Sequence, residues 1–332
     1  MPTTNLEKLK SVKDFARKDI FLCIARMANG RLFAGSSEFK VYEIDLGAKP
    51  DAKEIGAHES YVTGVAVAGS AIVSGGYDGK LIWWDVDKKS MIRKIDAHQK
   101  WIRRLRTSPD GKLIASTADD MVCRLWDAAS GKKIHELRGH VEQTPNNYPS
   151  MLYACAFSPD GKFLATGDKV GHIVVWDTAT GAKVSAMEAP TMYTWDPVQR
   201  RHSIGGIRSL AFSPDGQTLA VGGIGKIGNI DHLDAPARVE IFDWRAGKQS
   251  IEFPGDKFKG LVNQLWYQPQ GEWLLGAGGA NDGFLLFYDV KNKKTLRQEK
   301  AAMHIHDIAV SNSGDTIWAA GHGKIVVYEL KA

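Results

Sequence analysis

Residues Asp119–Asp127 read DDMVCRLWD. Two adjacent carboxylates precede a short apolar run, which Trp126-Asp127 closes. Taken alone, an acidic pair near Cys123 suggests catalytic or metal chemistry. Recurrence of the string elsewhere points to architecture instead. LIWWD ends at Asp85 and IVVWD at Asp177, with weaker copies EIFD at Asp243, LLFYD at Asp289, KVYE at Glu43 and VVYE at Glu329. These endings are spaced by 42, 42, 50, 66, 46 and 40 residues, a unit of about forty with insertions in the middle of the chain.

Each unit carries the same punctuation. An apolar run such as YACAF leads into SPDG (Ser158–Gly161), a turn that recurs at Ser108–Gly111 and Ser213–Gly216, with related turns ending at Gly30, Gly271 and Gly314. Proline presets φ in such a turn and glycine tolerates positive φ. A second run (KFLATG), a third ending in Trp-Asp, and a fourth (KIHEL) complete the unit. Four short segments per unit predict a four-stranded antiparallel sheet, repeated seven times.

Composition agrees with a folded all-β chain. Of 332 residues 43% are apolar and 24% charged, with 34 glycines and ten tryptophans. The net charge of +5 is mild and diffuse, compatible with an acidic partner but not a signature of nucleic-acid binding. Runs such as RRLR (Arg103–Arg106) lack interleaved aromatics and read as solvated faces. Cys23, Cys123 and Cys155 form no Cys-x-x-Cys pair and each lies in an apolar run, so buried, reduced thiols are expected. The N-terminal stretch MPTTNLEKLKSVKDF has no apolar core of secretory type and no stretch approaches a membrane span, so a cytoplasmic chain is expected.

GAH, DAH and RGH near unit starts, SPDG in the middle and Trp-Asp near the ends resemble the WD-repeat family. The resemblance covers the chain from about Leu9 and is most specific in units two to four. It implies one domain over residues 1–332, an all-β, seven-bladed β-propeller of four-stranded antiparallel blades. The chain stops shortly after Glu329, so Leu6–Asp14 is expected to supply the outer strand of the last blade and close the ring. Leu6, Leu9, Val12 and Phe15 also fit a helical stripe.

The resemblance also implies an internal network in each well-formed blade: a His bonded to a turn Asp and to a Ser or Thr, which in turn meets the Trp. Unit two supplies His58, Asp78, Ser74 and Trp84; unit three supplies His98, Asp120, Ser116 and Trp126. The residue types suit the task, since a buried carboxylate needs donors and imidazole offers one while its other nitrogen accepts. Unit four keeps His140, Thr166 and Trp176 but has Val170 at the Asp position. Unit five has Val221 and Phe242 at the Ser and Trp positions. Blades two and three are therefore expected to be the most rigid, and Asp119 to face solvent on the loop-bearing side.

Function is expected where the repeat decays. Insertions at Val141–Met151, Glu188–Ser203 and Gly222–Ala237 should emerge on one face and build a raised lip over the channel. Tyr148, Tyr193, Trp195, Arg200, Arg201 and His232 are its candidate partner-binding residues, joined by Tyr61, Tyr77, Lys100 and Trp101 from shorter loops. The competing expectation is that the loops only cap the blades. One position per inner strand (Leu22, Thr63, Arg103, Tyr153, Arg208, Asn263, His306) should point into the channel. Of these, Arg103, Tyr153, Arg208, Asn263 and His306 form a candidate anion site, the alternative being a solvated channel.

Three motifs read as decoys. Gly223, Gly225 and Gly228 match a dinucleotide fingerprint, but no helix is expected after them. DHLD (Asp231, His232, Asp234) and HIHD (His304, His306, Asp307) have metal-compatible types, yet the sequence fixes no complete ligand set, and no metal or cofactor is assigned. The chain is thus expected to be a non-enzymatic, monomeric scaffold for a protein or peptide, an acidic one being compatible with its charge; membrane and nucleic-acid partners are not expected. An enzyme or small-ligand receptor using the channel mouth near blades four and five is the alternative.

Overall fold

The computed structural model describes residues 4–196, 202–228 and 233–331. Among them, five separate four-stranded antiparallel sheets follow one another along the chain, of which Ile102–Thr107, Leu113–Ala118, Val122–Asp127 and Lys133–Arg138 form one. A sixth sheet has six strands, in the order Ile305–Val310, Thr316–Glu329, Lys10–Arg26, Leu32–Ser36, Lys40–Asp45, Asp51–Ala57.

That larger sheet holds two blades. Thr316–Glu329 doubles back at Gly323, whose φ is +70°. Its first limb pairs with Ile305–Val310, and its second, Lys324–Glu329, pairs with Ala16–Lys10. The Leu330 amide donates to the Asp315 carbonyl at 2.8 Å, tying the limbs together. Lys10–Arg26 likewise serves twice: Lys10–Ala16 is the outer strand of the last blade, while Phe21–Arg26 pairs with Leu32–Ser36 as the inner strand of the first. Seven blades result, and the terminal segments share one sheet, so the ring is closed.

The apolar cores confirm the count independently. Seven buried clusters each join adjacent blades around the ring, such as Val73, Leu81 and Trp83 of blade two with Ile102, Leu105 and Ile114 of blade three. Cross-blade hydrogen bonds add register, including Trp83 Nε1 to the Ala128 carbonyl (2.8 Å) and Thr107 Oγ1 to the Val67 carbonyl (2.8 Å). Close approach also dictates sequence at Gly56, where a Cβ would lie 2.1 Å from Cζ3 of Trp84.

The closing strand starts later than expected. Leu6–Lys8 is a 3₁₀ turn, because the Asn5 side chain accepts the Glu7 amide (2.9 Å) and holds the chain out of the ladder. Leu9 then packs into the core between blades six and seven. All three cysteines are free and buried, and burial pushes each thiol up, to about 11 for Cys155. No described helix is long and apolar enough to cross a membrane.

Candidate functional site

In blade two, Trp84 Nε1 donates to Ser74 Oγ (2.7 Å), Ser74 lies 2.7 Å from His58 Nε2, and His58 Nδ1 lies 2.9 Å from Asp78 Oδ2. Blade three repeats this, with Trp126 to Ser116 at 2.8 Å, Ser116 to His98 at 2.7 Å and His98 to Asp120 at 3.1 Å. The hydroxyls are fully buried, out of reach of any substrate, so the Ser-His-Asp sets are architecture. Burial alone would raise the Asp120 carboxyl. The hydrogen bonds from His98 and from Arg124 (2.8 Å) overcome it and hold the group well below the usual carboxylate range.

Blade four corrects the sequence reading. Its network is complete, with Asp168 in place of the residue sought at Val170. His140 Nδ1 lies 2.8 Å from Asp168 Oδ2 and His140 Nε2 lies 2.8 Å from Thr166 Oγ1, which accepts from Trp176 Nε1 at 2.9 Å. Thr166 and Asp168 are two apart on one strand and so share a face. The other Asp168 oxygen accepts the Val170 and His172 amides, both at 3.0 Å, as a turn Asp would. In blade five Val221 and Phe242 are buried in an apolar core.

The three insertions do meet. The Tyr148 and Trp195 rings lie 5.2 Å apart, the Tyr193 hydroxyl donates to Asn146 Oδ1 (2.9 Å), and Thr194 Oγ1 accepts the Ile227 amide (3.0 Å). Tyr193–Asp196 and His202–Gly205 pair as an extra hairpin. Beneath it Ile224, Ile227, Ala235 and Leu261 form a small core of their own. Tyr193 and Trp195 are half-buried by these contacts. Arg200, Arg201, Asp231 and His232 lie outside the described residues.

A second aromatic feature runs along the loop ends of blades one to three. Phe39, Tyr61, Tyr77 and Trp101 follow one another with centroid separations of 5.5, 5.6 and 4.3 Å, the last pair stacked within 3°. Trp101 remains 48% exposed and Tyr61 43%. The arc ends in a groove of about 430 Å³ whose walls include Tyr77, Lys100 and Trp101 on one side and Pro149 and Met151 of the first insertion on the other. Phe39, Pro149 and Met151 were missed by sequence reasoning. Phe39 occupies a turn position where φ is +68°, and a bulky residue where unit two has Gly79 is the signal that was available.

All seven inner-strand positions line one channel cavity of about 240 Å³. Two of the five proposed anion ligands are already committed. Arg103 is held by Asp119 (Nε to Oδ1 2.8 Å, Nη2 to Oδ2 2.7 Å) and donates to the Tyr77 hydroxyl (2.6 Å). Asp119 is therefore not the solvent-facing residue expected, with its side chain 12% exposed. Asn263 donates to His304 Nε2 and to the Ile305 carbonyl, both at 2.8 Å. Arg208 differs: its guanidinium stacks on Tyr153 at 3.6 Å, donates to the Gly205 carbonyl (3.1 Å), and has its buried Nε without a partner. The buried Lys169 stands nearby, its ammonium pushed down by burial and by the neighbouring Arg208 and Arg103. Asp307 of the HIHD motif turns away from the imidazoles. Its carboxylate accepts the Ile24 amide of blade one (3.1 Å) and the Ile308 amide (3.0 Å).

The family described as WD domain, G-beta repeat matches at residues 51–85, 89–127, 131–177 and 195–226. With the repeated network and the closed ring, this decides the family. The chain is a WD-repeat protein. Similar proteins include a nuclear distribution protein PAC1 of Arthroderma otae (31% identical over 29% of this chain and 21% of the relative). Others are the small ribosomal subunit protein RACK1y of Oryza sativa subsp. japonica (30% over 26% of each chain) and a Notchless protein homolog of Arabidopsis thaliana (35% over 21% of this chain and 15% of the relative). The matched segments thus span at most about a quarter of these relatives. WD-repeat propellers commonly act as protein-interaction platforms, and the loop ends of this one carry both the mutually packed insertions and an aromatic groove.

Proposed function

We propose that this WD-repeat protein is a non-enzymatic scaffold whose loop-bearing face takes a protein or peptide partner with an acidic side chain. The observation that carries the reading is the partly exposed arc from Phe39 to Trp101, continuous with the groove against Pro149 and Met151. Exposed, mutually supported aromatic rings supply contact area at low entropic cost. Beside them at the channel, neither Arg208 nor Lys169 forms an ion pair with an acidic side chain of the described residues, which favours a carboxylate arriving from outside. The lip rings Tyr148, Tyr193 and Trp195 spend part of their surface on one another and serve to shape the rim. Affinity capture from the parent cells tests the reading, comparing wild type with Trp101→Ala and Trp195→Ala. The proposal expects Trp101→Ala to lose the partner and Trp195→Ala to weaken it. Recovery of the same proteins at the same level from all three would overturn it.

A further inference from the structure

Blade seven brings three imidazoles to the channel mouth. His304 and His306 belong to its inner-strand segment, and His322 stands at the turn where Thr316–Glu329 doubles back. The His322 amide donates to the His304 carbonyl at 3.1 Å, so the two residues face each other across the hairpin. Ring centroids lie 4.6, 5.0 and 4.8 Å apart in the three pairs, and one potential ligand nitrogen from each residue falls within 4.8 Å of the others.

A further observation points to a ligand. His306 Nε2 is sealed from solvent and has no hydrogen-bond partner, an arrangement that costs energy in a native interior and calls for a cause. Asn263 explains the state of His304. Its amide nitrogen also donates to the Ile305 carbonyl, which fixes its orientation and makes His304 Nε2 an acceptor, its lone pair taken by Asn263 in this structure. From this geometry we infer that His304, His306 and His322 form a three-imidazole site for a divalent transition-metal ion of the zinc, nickel, cobalt or copper class.

The chemistry of the donors selects that class. Imidazole nitrogen suits these borderline ions, whereas magnesium and calcium demand oxygen ligands, and the one nearby carboxylate of the motif, Asp307, is turned towards blade one. A metal–nitrogen distance of about 2.0–2.1 Å needs donors roughly 3.3 Å apart. His322, the most exposed of the three and next to Gly323, is the ring with most room to move towards the other two. His304 Nε2 then exchanges the Asn263 donor for the metal, while Asn263 keeps its bond to the Ile305 carbonyl. His304 and His306 both line the channel cavity, which places the proposed site beside it.

The test uses the full chain without a histidine tag, stripped with EDTA and titrated with Co²⁺ by visible absorption and with Zn²⁺ by calorimetry. One equivalent should bind, with tetrahedral or five-coordinate cobalt bands. His322→Ala removes an exposed side chain and should leave folding intact while weakening binding at least about 100-fold. His306→Ala should do the same, and His135→Ala, remote from the cluster, should bind as wild type. Failure of the wild-type chain to bind, or binding that both His322→Ala and His306→Ala leave unchanged, overturns the site. Neither outcome bears on the partner-binding groove, whose residues are not among these ligands.

Discussion

Arg103 and Asp119 form a two-pronged ion pair in the channel wall, with Nε to Oδ1 at 2.8 Å and Nη2 to Oδ2 at 2.7 Å. The pair joins the inner strand of blade three to the acidic doublet at the end of its second strand, so one of two adjacent aspartates serves the channel and the other the internal network. With both side chains mostly buried, Asp119→Asn should destabilise the chain by about 1.5–3 kcal/mol, read by urea denaturation. It also frees a guanidinium beside Arg208, so inorganic phosphate should protect the variant against heat more than the wild type. Equal protection of both proteins would mean that the channel arginines do not attract anions.

Blade four is held by Asp168, and substitution should show it. Asp168→Ala strands the His140 ring and two backbone amides and should cost about 2 kcal/mol or more. Val170→Ala should cost no more than about 1 kcal/mol. Native-state hydrogen exchange should then find the strands of blades two, three and four similarly protected, and those of blade five less so. A larger cost at Val170 than at Asp168 would refute the assignment.

Acid should loosen the networks in two overlapping steps. His98 and His140 are buried with their pKa values lowered, so the unfolded chain binds their protons first and stability falls as pH drops below the unfolded value of about 6.5. Asp78 and Asp120 have lowered values in the fold, so their contribution is present above about pH 4 and lost below it. Both effects have the same sign: stability rises with pH through this range. An Asp120→Asn variant should be less stable at pH 7 and lose less on acidification. Parallel stability curves for variant and wild type between pH 7 and pH 3 would remove Asp120 from the acid response.

These cases show where reading the sequence works. The forty-residue recurrence and the Trp-Asp endings were legible because they repeat along the chain, and the two complete His-Ser-Asp-Trp sets because the resemblance to the WD-repeat family implies which residues of a unit form them. Asp168 was not, since a strand residue two places earlier reaches the same point in space as a turn residue, and spacing alone cannot say so. The Arg103–Asp119 pair was hidden for a related reason. The register between their strands shifts at Thr117/Ala118, just where the alternation would have been counted. His322 was invisible as a companion of His304 because only the hairpin joins residues so far apart in sequence. The three insertions were found, but which of their rings face outward depends on packing that no period encodes.

Phe39 offers a way to separate binding from folding. Its backbone sits at φ +68°, a conformation that costs a bulky residue about 1–2 kcal/mol and glycine almost nothing. The ring is 39% exposed and leans on Tyr61 at 5.5 Å. Retaining a strained, exposed aromatic is understandable if the ring meets a partner. Phe39→Gly should therefore raise stability by about 0.5–1 kcal/mol, after loss of the contact with Tyr61, while reducing partner recovery. Thermal denaturation and affinity capture on the same preparations read the two effects separately. If the variant were stabilised and still captured the partner at the wild-type level, the arc would be confined to Tyr61, Tyr77 and Trp101. If it were destabilised, the ring would be a packing element of blade one.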